Sequence, residues 1–189
     1  MTVPATTADT QDSPLLAAVV DRLRTKVKGL TPANCFVTDQ PVPPDGYFPQ
    51  GDVACTVCLL DGTFDAQLWN GGGPSQLCET PSLAVTILRH TKIDQPPRLT
   101  TAMQSEQKGL LKVWKLELLR ALLVEDATAD VLVPWQPVDY DGNPILRGMG
   151  LVPRRSQGPR MMTEVDWLGL TLWFEVSFDW DLRQPEVSA

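Results

Sequence analysis

Histidine is nearly absent from this chain: His90 is the only one in 189 residues. That leaves few ligands for a zinc site and few partners for imidazole acid–base chemistry. Positive charge is also short. Sixteen Lys and Arg against 23 Asp and Glu give a net charge of -7 and a pI of about 4.6, which argues against a surface built to grip nucleic-acid phosphates. No apolar run approaches the length of a membrane helix, so a soluble protein with no membrane partner is expected. The opening stretch, MTVPATTADTQDSP, has neither a positive n-region nor an apolar h-region. Residues 1–12 read as a flexible tail, not a secretory signal.

Without such a signal a reducing compartment is expected, and Cys35, Cys55, Cys58 and Cys78 should stay unpaired. Cys55 and Cys58 form a CxxC, but ACTVCLL reads as a strand. Residues three apart on a strand point to opposite faces and do not close on one metal. The thiols are expected to pack as small hydrophobes, and neither metal nor cofactor is expected.

What is present is proline and glycine, 17 and 13 of them, so much of the chain should be loop. Length and 43% hydrophobic content suit one domain over 1–189 with a sizeable core. The most informative stretch is Val165–Trp180, VDWLGLTLWFEVSFDW. Every second residue from Leu168 to Trp180 is apolar; the alternate positions, Trp167 to Asp179, are mixed. This is a strand that buries one full face. Extended, it would span roughly 50 Å, more than a small domain needs, so a bend at Gly169 or projection toward another subunit is expected.

A helix is expected from about Pro14 to Lys28, capped by Ser13 and stopped by Gly29, with Leu15, Leu16, Val19, Val20, Leu23 and Val27 on one stripe. Strands follow at Cys35–Gln40, at Val53–Leu60 (closed by a turn at Asp61-Gly62) and at Ser82–Asp94. A second helix runs from Ser105 to about Val124. Plotted at 100° per residue, Leu110, Leu111, Trp114, Leu118, Ala121 and Leu122 form one apolar arc, and Leu116, Leu119 and Leu123 form another. Such a helix is buried on two sides: one against the sheet, the other against the first helix or a neighbouring subunit. Residues 127–164 read as an extended arm, with short strands at Val131–Trp135 and Ile145–Val152, and residues 182–189 as a tail. The whole is an α+β domain: a mixed or antiparallel sheet of about four or five strands, two helices on one face, and long Pro/Gly-rich loops.

Several motifs have a plain reading beside a sharper one. Gly71-Gly72-Gly73 lacks the Lys-Ser/Thr of a phosphate cradle and reads as a flexible loop. Asp139, Asp141 and Asn143 lack the glycine spacing and bidentate glutamate of a calcium loop, and fit a turn at Asp-Gly-Asn-Pro. His90 beside Arg89 is either a structural histidine on a half-exposed strand or, with Arg89, part of a ligand or catalytic pocket. Arg147, Arg154, Arg155 and Arg160 are either a solvated loop or a contact surface for an acidic partner or passing DNA. Trp69 and Trp135, read as exposed loop tryptophans, either face partners or anchor their loops.

The layout, carried by LLAAVVDRLRTKVKGL, SLAVTILRHTKIDQPP, LLKVWKLELLRALL and WLGLTLWFEVSFDWD, resembles the tail-terminator and neck proteins of long-tailed bacteriophages. That resemblance implies a structural virion protein with no catalytic residues. It implies a homohexameric ring, assembled in the host cytoplasm, that caps the tail tube and joins it to the head connector in the virion neck. Its partners would be its own copies, the tail tube protein and a head-completion or connector protein, with genomic DNA sliding through the lumen unbound. A head-completion or adaptor protein of the neck is the alternative within the same class. The interface residues expected on this reading are Trp114, Leu119, Leu123, Trp173, Trp69, Trp135, Arg154 and Arg155.

Overall fold

The computed structural model describes residues 12–41, 53–64, 76–90, 101–126, 128, 131–146, 150–161 and 167–181. In chain order these form α1 (Asp12–Lys26), β1 (Cys35–Val37), β2 (Val53–Phe64), β3 (Gln76–His90), α2 (Thr101–Leu123), β4 (Val152–Met161), β5 (Trp167–Glu175) and β6 (Phe178–Asp181). The sheet runs β1-β2-β3-β5-β4, with β6 also on β3. β1 is parallel to β2 and the other pairs are antiparallel. This is the expected α+β arrangement: a mixed sheet with both helices on one face. Asp12, the last residue of the expected N-terminal tail, opens α1; residues 1–11 and 182–189 and the Trp69, triple-glycine and Arg147 positions lie outside the described residues.

The alternation in the closing stretch decides the core. Leu168, Leu170, Leu172, Phe174, Val176 and Phe178 are all buried. They join Cys55, Val57, Leu83, Val85 and Ile87 of the central strands and Leu15, Val19, Leu23, Leu111, Leu118 and Leu122 of the two helices in one cluster. Burying a large aliphatic or aromatic side chain stabilises by about 1.5–3 kcal/mol, so this face carries most of the hydrophobic drive. The expected mixed face of β5 is buried at Trp167, Gly169 and Thr171 and half-buried at Trp173 and Glu175. Register aligns Thr56 with Thr86 and Thr86 with Thr171. These threonines are buried, yet none is left unsatisfied: Thr86 and Thr171 share a 2.9 Å hydrogen bond, and Thr56 donates to the Pro41 carbonyl at 2.9 Å.

Pro81 explains where two expectations failed. It sits inside β3, between β2 and the closing ribbon, with no amide proton to give either neighbour. On one side, pairing runs from Leu60↔Ser82 to Thr63↔Thr80, so β2 carries one extra residue at Asp61-Gly62. That dipeptide is therefore a bulge, not a hairpin turn, and β2 continues to Phe64. A Cβ on Gly62 would lie 2.6 Å from the Pro81 nitrogen, so only glycine fits. On the other side, β5 pairs as far as Ser82↔Glu175 and β6 resumes at Glu79↔Phe178 in the same register. The ribbon is interrupted at Val176–Ser177, opposite Pro81, and not at Gly169. From Trp167 to Asp181 it does not project from the body, because β3 pairs with both β5 and β6.

Other boundaries shift by a few residues. α1 contains Ser13 and Pro14 in its first turn, so Ser13 is not its cap. β1 is only three residues long. β3 begins at Gln76, inside the expected loop, and α2 begins at Thr101. The largest correction is β4. VPRRSQGPRM was read as part of the arm and is a ten-residue edge strand beside β5. Two register shifts, between Pro153 and Arg155 and between Gln157 and Arg160, break the alternation that would have revealed it. Prolines, bulges and arginines on an edge also oppose pairing with a further strand.

Candidate interaction surface

The expected interface residues are mostly engaged within the chain. Trp114 is half-buried, with its ring against Gly29 at the end of α1. Leu119 and Leu123 pack against the main core. Trp173 is half-buried under Arg155, whose guanidinium lies 4.5 Å from the ring centroid. Arg154 makes a two-pronged ion pair with Glu175, at 2.8 and 2.7 Å, and each partner holds the other's charge: Glu175 is lowered and Arg154 raised from their ordinary pKa values. Trp135, read as exposed, is only 8% exposed.

Trp135 is buried because an unexpected residue seats it. Arg22 on α1 donates to the carbonyls of Ala121 at 3.0 Å, Val124 at 2.8 Å and Glu125 at 2.9 Å, and to the Glu125 carboxylate at 3.1 Å. Carbonyls in the last turn of a helix lack internal partners, and a cation there also meets the negative end of the helix dipole. The same guanidinium lies 5.2 Å from the centroid of Trp135. One side chain thus caps α2 and fixes the root of the arm. The Trp135 amide bonds the Leu123 carbonyl and the Glu125 amide bonds the Val133 carbonyl. Gly150, at φ 92°, passes so close to the Trp135 carbonyl that a Cβ would collide with it.

Around that root, part of the arm is exposed. Val131, Leu132 and Val133 are 75%, 64% and 55% exposed, and Val138 and Tyr140 are also open to solvent. A run of three exposed apolar residues is avoided in sequences that do not use it. On α2, Val113 and Leu116 are 57% and 49% exposed. Of the second apolar arc expected on that helix, only Leu116 faces solvent. Sequence reasoning missed the arm residues because VLVPW alternates weakly and read as a short strand; the available signal was three consecutive large aliphatics between Asp130 and Pro134.

Asp139 in the arm and Asp126 just before it are held as anions. Asp139 accepts from the amides of Asp141 at 2.9 Å and Asn143 at 2.8 Å, and these hydrogen bonds, chiefly that of Asn143, lower its pKa. Asp126 is lowered in the same way by the hydroxyl and amide of Thr128. The Asp139 oxygens serve the turn, closed by the Val138–Pro144 bridge, as the turn reading of this motif expects. No cluster of three metal-binding side chains occurs among the described residues.

The pocket reading of Arg89 and His90 loses its geometry. They are neighbours on an extended strand and point to opposite faces. Arg89 pairs in register with Leu168 on the helix side, while His90 stands edge-on to Trp167, with ring centroids 5.0 Å apart. Cys55 and Cys58 likewise diverge. Cys55 instead neighbours Cys35 across the parallel pair, and the hydrogen bond to Cys35, together with burial, pushes the Cys55 thiol well up. Burial holds Cys58 at about 11, so neither is a ready nucleophile at neutral pH. No family model matches the sequence, and no characterised protein does.

Proposed function

We propose that this protein is a structural component of a tailed-phage virion: a tail terminator of the neck that forms a homohexameric ring, caps the tail tube and joins it to the head connector. Support comes from the layout resemblance described above and from the apolar surface that one copy leaves uncovered. The observation that carries the reading is the exposed run Val131-Leu132-Val133, on an arm whose root is clamped by Arg22 and Gly150. A rigidly rooted segment with solvent-facing aliphatics is suited to binding a protein surface. Identical chains satisfy such surfaces by head-to-tail contacts that close on themselves. The net charge of -7 suits a collar through which DNA slides without sticking, since phosphates are repelled.

The mass of the purified protein, alone and with purified tail tubes, tests this. Rings of six chains, visible end-on in negative stain and seated at the tube tip, are the expected result. A 20.8 kDa monomer that leaves the tubes unoccupied would overturn it.

A further inference from the structure

We propose that the ring contact is heterologous, with the Val131–Val133 run of one copy seated on the exposed stripe of α2 in the next. This rests on the ring reading above and names the two surfaces that would meet. The stripe consists of Lys112, Val113, Leu116 and Arg120, all exposed, which lie on one side of the helix at spacings of three, four and eight. Half-buried Glu117 runs along its edge. Two aliphatic side chains are thus flanked by two cations.

The arm is the chemical complement. It presents Val131, Leu132 and Val133 and, farther along, carries Asp139 and Asp141, of which Asp139 is anchored as an anion by its own turn. Arm against arm would bring like charges together, as would stripe against stripe; arm against stripe brings opposite charges around an apolar centre. One copy cannot make the contact alone. Its arm is tied to the carbonyl of Leu123, whereas Leu116 and Val113 lie seven and ten residues back, roughly 10 and 15 Å along the helix axis at 1.5 Å per residue. Both patches therefore stay open until a second copy arrives, and because they differ, each copy offers one of each.

Complementation between two variants tests this. Leu132→Asp disables the arm and leaves the stripe; Leu116→Asp does the reverse. Both sites are solvent-exposed, so circular dichroism and melting temperature should match the parent and show that both variants fold. Alone, or with tail tubes, each should lose the ring. Mixed, the intact arm of the L116D chain should dock on the intact stripe of the L132D chain and stop there, giving a species of twice the 20.8 kDa chain mass. Rings that persist in either variant, a mixture that stays monomeric, or a homodimer formed by one variant alone would overturn the contact while leaving the ring reading intact. Absence of rings in the parent protein, with and without tubes, would defeat the ring reading itself.

Discussion

β5 and the arm around Val131–Tyr140 are both rich in large apolar side chains, and those side chains end in opposite places. In β5 they alternate, meet the helices on one face and the threonine row on the other, and leave little open to water. In the arm Val131, Leu132 and Val133 stand consecutively, and no packed layer of the described fold covers them, although Trp135 two residues on is buried. Apolar density alone therefore does not say which segment has surface to spare. What decides is whether the period matches an element that the rest of the chain can cover.

Paired substitutions put the largest numbers on this contrast. Phe174→Ala should cost about 3–5 kcal/mol in a denaturant titration, because a fully buried ring is replaced by a cavity. Leu132→Ala should change the stability of the monomer by less than about 0.5 kcal/mol and yet impair ring assembly. If both weakened folding alike, the arm would be part of the core and the distinction would fail.

The root of the arm comes next. Gly150→Ala places a methyl group against the Trp135 carbonyl, at a φ that side-chain-bearing residues rarely adopt; a loss on the order of 3 kcal/mol is expected. Hydrogen exchange at the Trp135 amide should rise more than exchange in the centre of β3. Arg22→Ala should cost about 2 kcal/mol by stranding last-turn carbonyls of α2, and the same amide should report it. Equal protection at Trp135 in the parent and in R22A would show that the clamp is not what holds the arm.

These residues also show how far the sequence could be read. The period-two run from Leu168 to Phe178 and the three-four spacing of Leu15, Leu16, Val19, Val20 and Leu23 state their own burial, so the sheet, the helices and the shared core were legible. The Asp61-Gly62 bulge and the break at Val176–Ser177 were not, because both answer to Pro81, more than fifteen residues from either in the chain. β4 was hidden for a related reason: each inserted residue near Pro153 and Pro159 flips the face that follows. At the candidate surface, Trp135 reads as an exposed loop tryptophan, yet each of Trp114, Trp135 and Trp173 is partly or wholly covered by a residue distant in the chain: Gly29, Arg22 and Arg155. Hydrophobicity was legible; the identity of its cover was not.

The smallest effect expected is acid loosening of the arm before the body. Asp139 in the fold has its pKa lowered, chiefly by the backbone hydrogen bond from Asn143, so its carboxylate contributes stability that is fully present above the ordinary aspartate value of about 4. That contribution is lost as pH falls through the lower folded-state value, since the protonated form is the weaker acceptor. The threonine row of the sheet has no group that titrates there. On acidification from neutrality, exchange at the Gly142 and Ile145 amides, which bond the carbonyls of Asp139 and Pro137, should therefore rise before exchange at Thr86. Asp139→Asn should remove most of that pH dependence, because an amide at 139 can still accept one hydrogen bond but has no proton to gain. If the two sets of amides opened together in the parent protein, the arm would have no local stability of its own, and its separation from the core would be lost.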